Sequence, residues 1–90
     1  MEFEFDPGKS KANRIKHGID FHTAQLLWEG PYVEFAAKQV FENRFALIGP
    51  LMGRLYTCIY TIRRNRIRII SCRRAREKES KLYEDQFEKT

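Results

Sequence analysis

Five side chains of this 90-residue chain are suited to acid–base or charge-stabilising chemistry: His17, Glu42, Arg73, Glu79 and Tyr83. Histidine titrates closest to neutral pH, so His17 is the first candidate for proton transfer, with Glu42 and Glu79 as alternative bases. Arg73 closes a predicted strand, and a rigid element can aim its guanidinium at developing negative charge. Tyr83 could stack on a nucleobase or donate a proton.

Each candidate also has a purely structural explanation. A histidine at the end of a helix, as predicted for His17, compensates the helix dipole. Glu42 can form a solvated pair with Arg44, and Glu79 can pair with neighbouring lysines. A helical tyrosine such as Tyr83 is commonly part of a core. The sequence leaves both explanations open.

The charge of the chain is concentrated in its second half. Residues 1–45 carry six Lys/Arg against seven Asp/Glu, a net of −1, whereas residues 46–90 carry eleven against five, a net of +6. Six arginines fall within twelve residues that contain no acid: Arg63, Arg64, Arg66, Arg68, Arg73 and Arg74. Such clustering is typical of a surface that binds a polyanion, although a solubilising surface has the same composition.

Several of these cations and a few others are candidate phosphate ligands. Arginine binds phosphate through a planar fork of donors, and lysine does so as a point charge. The predicted RNA-binding residues are Lys9, Lys16, Arg44, Arg54, Arg63, Arg68 and Arg74. Arg63 and Arg68 are also second choices for the charge-stabilising role of Arg73. A solvated face or a contact with a protein partner would equally explain them.

The sequence argues against membrane, metal and cofactor functions. Its longest uncharged stretch, Phe45 to Gly53, has nine residues, whereas a membrane-spanning helix needs about 20. Its two cysteines lack CxxC spacing and its two histidines lack HxxxH spacing, so we expect no metal site and no cofactor. The acidic N-terminus is typical of neither a signal nor a transit peptide, and we expect a cytoplasmic protein.

Local signals in the first half predict one strand and two helices, over residues 2–5, 7–17 and 21–29. Asp6 and Asp20 are the expected N-caps of the two helices. Ala12 and Ile15 form the only apolar stripe of the first helix. Residues 32–36 form either a short strand or an edge loop.

Alternating residues in the second half predict three antiparallel strands over residues 44–49, 54–62 and 66–73, followed by a helix over residues 75–89. The middle strand is apolar on both faces, which is typical of a central strand. In the third strand, alternation places Ile67 and Ile69 on one face and Arg68, Ile70 and Cys72 on the other. We therefore predict a single α+β domain over residues 1–90, with helices against one sheet face.

Four segments together resemble the BrnT toxin family over residues 3–85. They are Lys16-His17-Gly18-Ile19-x-Phe21-x-x-Ala24, Glu42-x-Arg44-x-x-x-Ile48-Gly49, Tyr60-Thr61-x-Arg63 and Ile67-Arg68-Ile69-Ile70-Ser71-x-Arg73-x-Ala75-x-x-x-Glu79. That family is the toxin half of a type II toxin–antitoxin pair and is similar in fold to RelE-type ribonucleases. Their order of strand, two helices, three strands and helix agrees with the prediction above. The family commonly has Ser or Thr where Arg76 stands, so a capping box with Glu79 is incomplete here.

The resemblance implies a metal-independent endoribonuclease that inhibits translation and growth. It also implies a cognate antitoxin, similar to BrnA, with a ribbon-helix-helix DNA-binding part, so that the toxin would contact DNA only through the complex. In such an enzyme a base removes the 2′-OH proton, a cation stabilises the phosphoryl oxygens and an acid protonates the leaving oxygen. The alternative is a non-catalytic basic module that binds RNA or an acidic protein.

Overall fold

A computed structural model of the chain describes residues 2–37 and 42–88 as an α+β fold, which confirms the predicted class. The elements are β1 (Glu2–Glu4), α1 (Pro7–His17), α2 (Phe21–Ala24), a 3₁₀ segment (Gln25–Glu29), β2 (Val33–Ala37), β3 (Arg44–Leu51), β4 (Arg54–Arg63), β5 (Arg66–Arg74) and α3 (Glu77–Glu88). The strands form one mixed sheet in the order β1-β5-β4-β3-β2, with only β1 parallel to its neighbour. The segment around residues 32–36 is thus a strand, and four strands rather than three follow the first two helices.

The predicted helix caps are confirmed. The carboxylate of Asp6 accepts hydrogen bonds from the Gly8 and Lys9 backbone N–H groups at 2.7 and 3.1 Å, and these bonds lower the Asp6 pKa. Gly18 ends α1 with a left-handed φ of 77°, which glycine adopts without strain. Asp20 accepts from the Thr23 N–H at 2.7 Å. The helix it caps is shorter than predicted, because the chain continues after Ala24 as a 3₁₀ segment.

The buried side of α1 is polar, which corrects the predicted apolar stripe. Ile15 is 79% exposed and Ala12 is exposed, whereas Ser10 and Asn13 are buried. The Phe21 N–H donates to Ser10 Oγ at 2.9 Å. Asn13 Nδ2 donates to the Ile19 and Cys72 carbonyls at 2.7 Å each, and the Cys72 N–H donates to Asn13 Oδ1 at 3.3 Å. Hydrogen bonds with backbone groups, rather than an apolar stripe, therefore fix α1 on the rest of the fold.

The Asn13 amide takes the place of a neighbouring strand. β1 pairs with β5 only at residues 66–68, so the outer edge of β5 beyond them lacks a strand partner. Asn13 bonds both backbone groups of Cys72 on β5. Since buried backbone groups must be satisfied, this side chain completes the sheet where β1 ends.

A β-bulge in β5 changes which residues face the helices. Ile59 pairs with Ser71, but Tyr60 pairs with Ile69, so Ile70 is an extra residue without a partner on β4. Alternation is therefore interrupted at Ile70. Cys72 lies in the core with Ile67 and Ile69, and Arg73 lies on the opposite face. The prediction that Cys72 shares a face with Arg68 is wrong for this reason.

The hairpins are tighter than predicted. β3 continues through Gly49 and Pro50 to Leu51, leaving Met52 and Gly53 as the turn. The strand tolerates Pro50 because its pairing with β2 ends at Ile48, so the proline lies on an edge there. The β4–β5 turn consists of Arg64 and Asn65, both with positive φ (52° and 64°), as two-residue hairpin turns of type I′ require.

The two faces of the sheet are covered by different helices. The core lies between α1, α2 and the 3₁₀ segment on one side and the central strands on the other, and includes Phe21, Leu27, Leu47 and Cys58. On the opposite face, Thr57 of β4 contacts Glu79 of α3. The prediction of helices on one face is thus wrong for α3, because β3 and β4 carry buried residues on both faces, including Ile48.

The last helix begins at Glu77, later than predicted, and its predicted end near residue 89 lies outside the described residues. Although Arg76 cannot act as a hydroxyl cap, its N–H donates to Glu79 Oε1 at 2.7 Å, which is the other half of a capping box. No helix within residues 2–37 and 42–88 is both long and apolar enough to cross a membrane.

We expect Asn13→Ala to lower the free energy of unfolding by about 2–4 kcal/mol, since it leaves buried backbone groups of Ile19 and Cys72 unsatisfied. Lys11→Ala, at an exposed position of the same helix, is the control and should change stability by less than about 0.5 kcal/mol. Urea denaturation measures both. Equal stability of the two variants would show that Asn13 does not anchor α1.

Candidate functional site

The arginine cluster is largely neutralised by acids from other parts of the chain. Arg63 lies 3.1 Å from Glu42, Arg66 lies 3.2 Å from Glu2, Arg68 lies 3.6 Å from Glu4, and Arg73 lies 2.7 Å from Glu79. For Arg64 and Arg74, no ion pair occurs among the described residues. The pairs with Glu2, Glu4 and Glu42 are partly or fully exposed to solvent, where such interactions are weak and a phosphate can compete for the arginine.

One charged cavity of about 230 Å³ collects several of the predicted residues. Its lining consists of Asp6, Lys9, Glu42, Arg44, Arg63, Arg68, Ile69 and Ile70. Glu42 lies between two of the arginines, 3.1 Å from Arg63 and 3.6 Å from Arg44. Four cations surround two carboxylates here, and one of these, Asp6, already caps α1. The cavity therefore has an excess of positive charge.

A second cavity of about 240 Å³ lies beside α1 and contains His17. It is lined by Lys9, Ala12, Asn13, Lys16, His17, Phe21, Ile70 and Ser71. Lys9 and Ile70 line both cavities, so the two are adjoining. We call the two cavities together the basic groove. Its charged half spans β3, β4 and β5 at Arg44, Arg63 and Arg68, and its other half lies between α1 and β5. The bulged residue Ile70 lines both halves.

The position of His17 is compatible with both of its explanations, which are proton transfer and compensation of the helix dipole. It is the last residue of α1 and lies in the final turn with Arg14 and Lys16, where a cation interacts favourably with the helix dipole. It is also half-buried in the wall of the basic groove. A histidine held this way is accessible to a bound ligand and close to the phosphate-binding cations.

Arg73 and Glu79 form a separate ion pair on the α3 face of the sheet. Both terminal nitrogens of Arg73 donate to the carboxylate, Nη1 to Oε1 at 2.7 Å and Nη2 to Oε2 at 2.9 Å. Oε1 also accepts from Thr57 Oγ1 at 3.0 Å and from the Arg76 N–H at 2.7 Å. The side chains are only 20% and 17% exposed. This pair joins the start of α3 to β4 and β5.

The hydrogen bonds of this pair decide which protonation state Glu79 has. The hydrogen bonds from Arg73, with those from Arg76 and Thr57, lower the Glu79 pKa to about 2, although burial opposes the change. The same contact raises the pKa of Arg73. A carboxylate with so low a pKa is a weak proton acceptor at neutral pH, so the geometry favours Glu79 as a group that orients Arg73.

Tyr83, Arg54 and Arg74 lie apart from the basic groove. Tyr83 packs its ring on Phe87 at a centroid distance of 4.7 Å, and its hydroxyl donates to the Pro31 carbonyl at 3.4 Å. These contacts are structural, but Tyr83 is only half-buried and does not belong to the hydrophobic core. Arg54 and Arg74 are exposed and line neither cavity of the groove. The structure therefore brings together His17, Glu42 and five of the predicted RNA-binding residues: Lys9, Lys16, Arg44, Arg63 and Arg68.

Sequence reasoning missed several residues that line the groove, among them Asp6, Ile70 and Ser71. Asp6 was assigned only as a helix cap, and Ile70 only as part of an alternating strand. A bulge has no reliable signature in a single sequence, so nothing indicated that Ile70 and Ser71 line this groove beside His17.

Residues 5–79 match the family model of the ribonuclease toxin BrnT of type II toxin–antitoxin systems. The chain belongs to the BrnT family. It is thus a ribonuclease toxin of a type II system, and such a toxin has a cognate antitoxin as its partner. The matched range contains every residue of the basic groove and the Arg73–Glu79 pair, whereas Tyr83 lies beyond it. No curated protein sequence matches this BrnT toxin.

We expect Glu79→Gln to lower the free energy of unfolding at neutral pH by about 1–3 kcal/mol, because Arg73 loses a charged acceptor. The folded-state pKa of Glu79 is depressed, so its contribution is present above the ordinary value of 4.5 and is lost as the pH falls towards about 2. The variant and the native chain should therefore converge in stability at acid pH.

Thermal denaturation of both proteins between neutral pH and about pH 2 measures this convergence. Glu77→Gln, on the same first turn of α3, is the matched control because it removes an equal charge without breaking the pair. A constant difference in stability across the pH range would show that the pair does not account for the effect.

Proposed function

We propose that this BrnT toxin is an endoribonuclease that cleaves RNA at the basic groove without a metal ion. The observation that carries the proposal is that His17 and Lys16 line one cavity, the groove arginines line another, and the two cavities share Lys9 and Ile70. Cleavage by the 2′-OH of the substrate needs a base, a cation and an acid. Side chains of this groove, with Arg73 beyond Ser71 on β5, can supply all three.

Phosphate binding is assigned to the charged half of the groove. Arg63 and Arg68 present guanidinium forks, and Lys9 lies between this half and the His17 half. The acids that pair with these arginines in the free toxin would be replaced by phosphate oxygens, which accept bidentate hydrogen bonds in the same way. The proposal therefore predicts salt-dependent RNA binding.

Proton transfer is assigned to His17, with Glu42 as the alternative base. Neutral imidazole can remove the 2′-OH proton, and imidazolium can then protonate the leaving 5′-oxygen. Both oxygens of Glu42 already lie near arginines, which favours a role in positioning these cations. The proposed transition-state cation is Arg73, whose guanidinium Glu79 orients. Arg73 follows Ser71 on the same face of β5, and Ser71 lines the groove.

Cleavage of this kind would inhibit translation and growth, and the cognate antitoxin would neutralise it by covering the groove. We propose a BrnA-like antitoxin with a ribbon-helix-helix part, so that DNA is contacted only by the complex, in the cytoplasm. We also propose that the fold is similar to that of RelE-type ribonucleases. On α3, Leu82 and Phe87 are about half exposed and offer apolar area to the antitoxin. The bidentate contact between Arg73 and Glu79 fixes the start of α3 on the strands.

Arg63 and Arg64 provide a matched test of the groove. They are adjacent and both exposed, but only Arg63 lines the groove. We expect Arg63→Gln to reduce RNA cleavage by about 10²-fold, as loss of a charge-stabilising donor typically does, and Arg64→Gln to have a much smaller effect. Cleavage of a labelled RNA, with and without a metal chelator, measures both. Equal losses would place the active site elsewhere, and loss of cleavage on chelation would contradict metal independence.

The two histidines allow a similar comparison. His17 lines the groove, whereas His22 is exposed on α2 and lines neither half of it. His17→Asn should lower the cleavage rate by about 10²–10⁴-fold, the usual effect of removing an acid–base group, and His22→Asn should leave it unchanged. If His17→Asn retains full activity while Glu42→Gln loses it, Glu42 is the base. RNA binding without any cleavage by the native chain would favour the non-catalytic module.

A further inference from the structure

An aromatic pocket of about 280 Å³ lies at the side of the sheet that carries α2 and the 3₁₀ segment. Its lining consists of Trp28, Tyr32, Glu34, Tyr60, Ile62 and Ile67. It shares no residue with the basic groove. Neither the proposed chemistry nor the family description uses these side chains, so the pocket is available for another function.

The walls of this pocket are aromatic rings held at a steep angle to each other. The centroids of Trp28 and Tyr60 are 5.2 Å apart, with 71° between the ring planes. Phe3 supports Trp28 at 5.0 Å, and Phe45 stacks on Tyr60 at 5.4 Å. Trp28 and Tyr60 thus meet edge to face, and together with Tyr32 they give the pocket aromatic walls. Aromatic rings attract cations over their faces.

Within residues 2–37 and 42–88, Glu34 is the only charged residue that lines this pocket. The Tyr60 hydroxyl donates to Glu34 Oε2, which orients the carboxylate. No hydrogen bond to the other oxygen, Oε1, is found within the part of the chain that the structure describes. At the rim, Ile62 is 48% exposed and offers an apolar surface next to the charge. This combination suits a basic side chain, whose charged end would contact the aromatic walls and the carboxylate and whose methylene groups would contact the apolar rim.

We propose that the aromatic pocket binds an arginine side chain presented by a partner protein. The guanidinium would stack against Trp28 or Tyr32 and donate to Glu34, while its methylene stem would pack on Ile62. A planar guanidinium matches both the ring faces and the carboxylate better than an ammonium does. RNA is disfavoured here because, among the described residues, no cation lines the pocket, and Glu34 repels phosphate. The inference does not depend on RNA cleavage.

Trp28 makes the proposal directly measurable, because it is the only tryptophan in the chain. Its fluorescence reports on this pocket alone. We would titrate the full chain with N-acetyl-argininamide and, as an uncharged analogue of the same shape, with N-acetyl-citrullinamide. Uridine and adenosine monophosphate represent the nucleic-acid alternative. The expected result is a saturable change with the arginine compound, a weaker one with N-acetyl-lysinamide and none with the others.

Two variants and one control link the signal to the pocket. Glu34→Gln retains an acceptor for Tyr60 and the shape of the site, and should weaken binding of the arginine compound about tenfold. Tyr32→Leu retains apolar bulk without a π-face and should also weaken binding. Glu29→Gln is the control, since Glu29 is exposed and does not line the pocket. Circular dichroism of each variant verifies folding.

Three results would overturn the proposal. The first is an equal response to the arginine and citrulline compounds, which would exclude recognition of charge. The second is unchanged affinity in a folded Glu34→Gln variant. The third is no saturable response to the arginine compound at concentrations up to its solubility. If a nucleotide gave a saturable response and the arginine compound gave none, the third result would also show that the pocket binds a nucleic acid and not a protein.

Discussion

The single extra residue in β5 is the constraint on which the arrangement of this toxin depends. Because Ile70 has no partner on β4, the strand enters the bulge with Arg68 on the α3 face and leaves it with Arg73 on that same face. Without the bulge, Arg73 would point into the helix-side core and Cys72 would leave it. The bulge thus allows one strand to supply the core residues Ile67, Ile69 and Cys72 to one face while Arg68 and Arg73 share the other. Bulges commonly redirect side chains in this way near functional sites.

The edge of the same strand determines where the basic groove lies. β1 is too short to cover β5, and α1 completes the edge through the Asn13 side chain rather than through another strand. This docking leaves the end of α1, with Lys16 and His17, beside the bulged segment. The polar attachment of α1 therefore serves two purposes, since it satisfies buried backbone groups and keeps the helix end at the groove.

Charge is separated between two concave surfaces of the molecule. Of the residues that the structure describes, more arginines and lysines than acids line the basic groove, whereas one carboxylate and no cation line the aromatic pocket. The ion pairs of the arginine cluster reduce its charge in the free toxin. Exposed pairs are weak enough for a polyanion to displace, while the less exposed Arg73–Glu79 pair has the bidentate geometry and extra donors of a stabilising contact. The arginines of this cluster therefore differ in their ion pairs: most pairs are exposed and weak, and the Arg73–Glu79 pair is a stabilising contact.

The sequence by itself determined the features that depend on neighbouring residues. The caps at Asp6 and Asp20, the end of α1 at Gly18, the turn at Arg64 and Asn65 and the central position of β4 all follow from local backbone geometry or alternation. The family resemblance likewise rested on short motifs. Of the seven RNA-binding residues predicted in this way, five line the basic groove, and their role stays a prediction.

Only the tertiary structure decided which acids meet which arginines, which side of α1 is buried and which sheet face α3 covers. Glu2 and Arg66, or Glu42 and Arg63, are far apart in sequence, and their pairing depends on strand register rather than on local preference. A bulge shifts that register by one residue and reverses every later side chain, yet it has no local signal of comparable strength. Sequence patterns therefore could not predict which residues line the basic groove and the aromatic pocket together, because that depends on strand register.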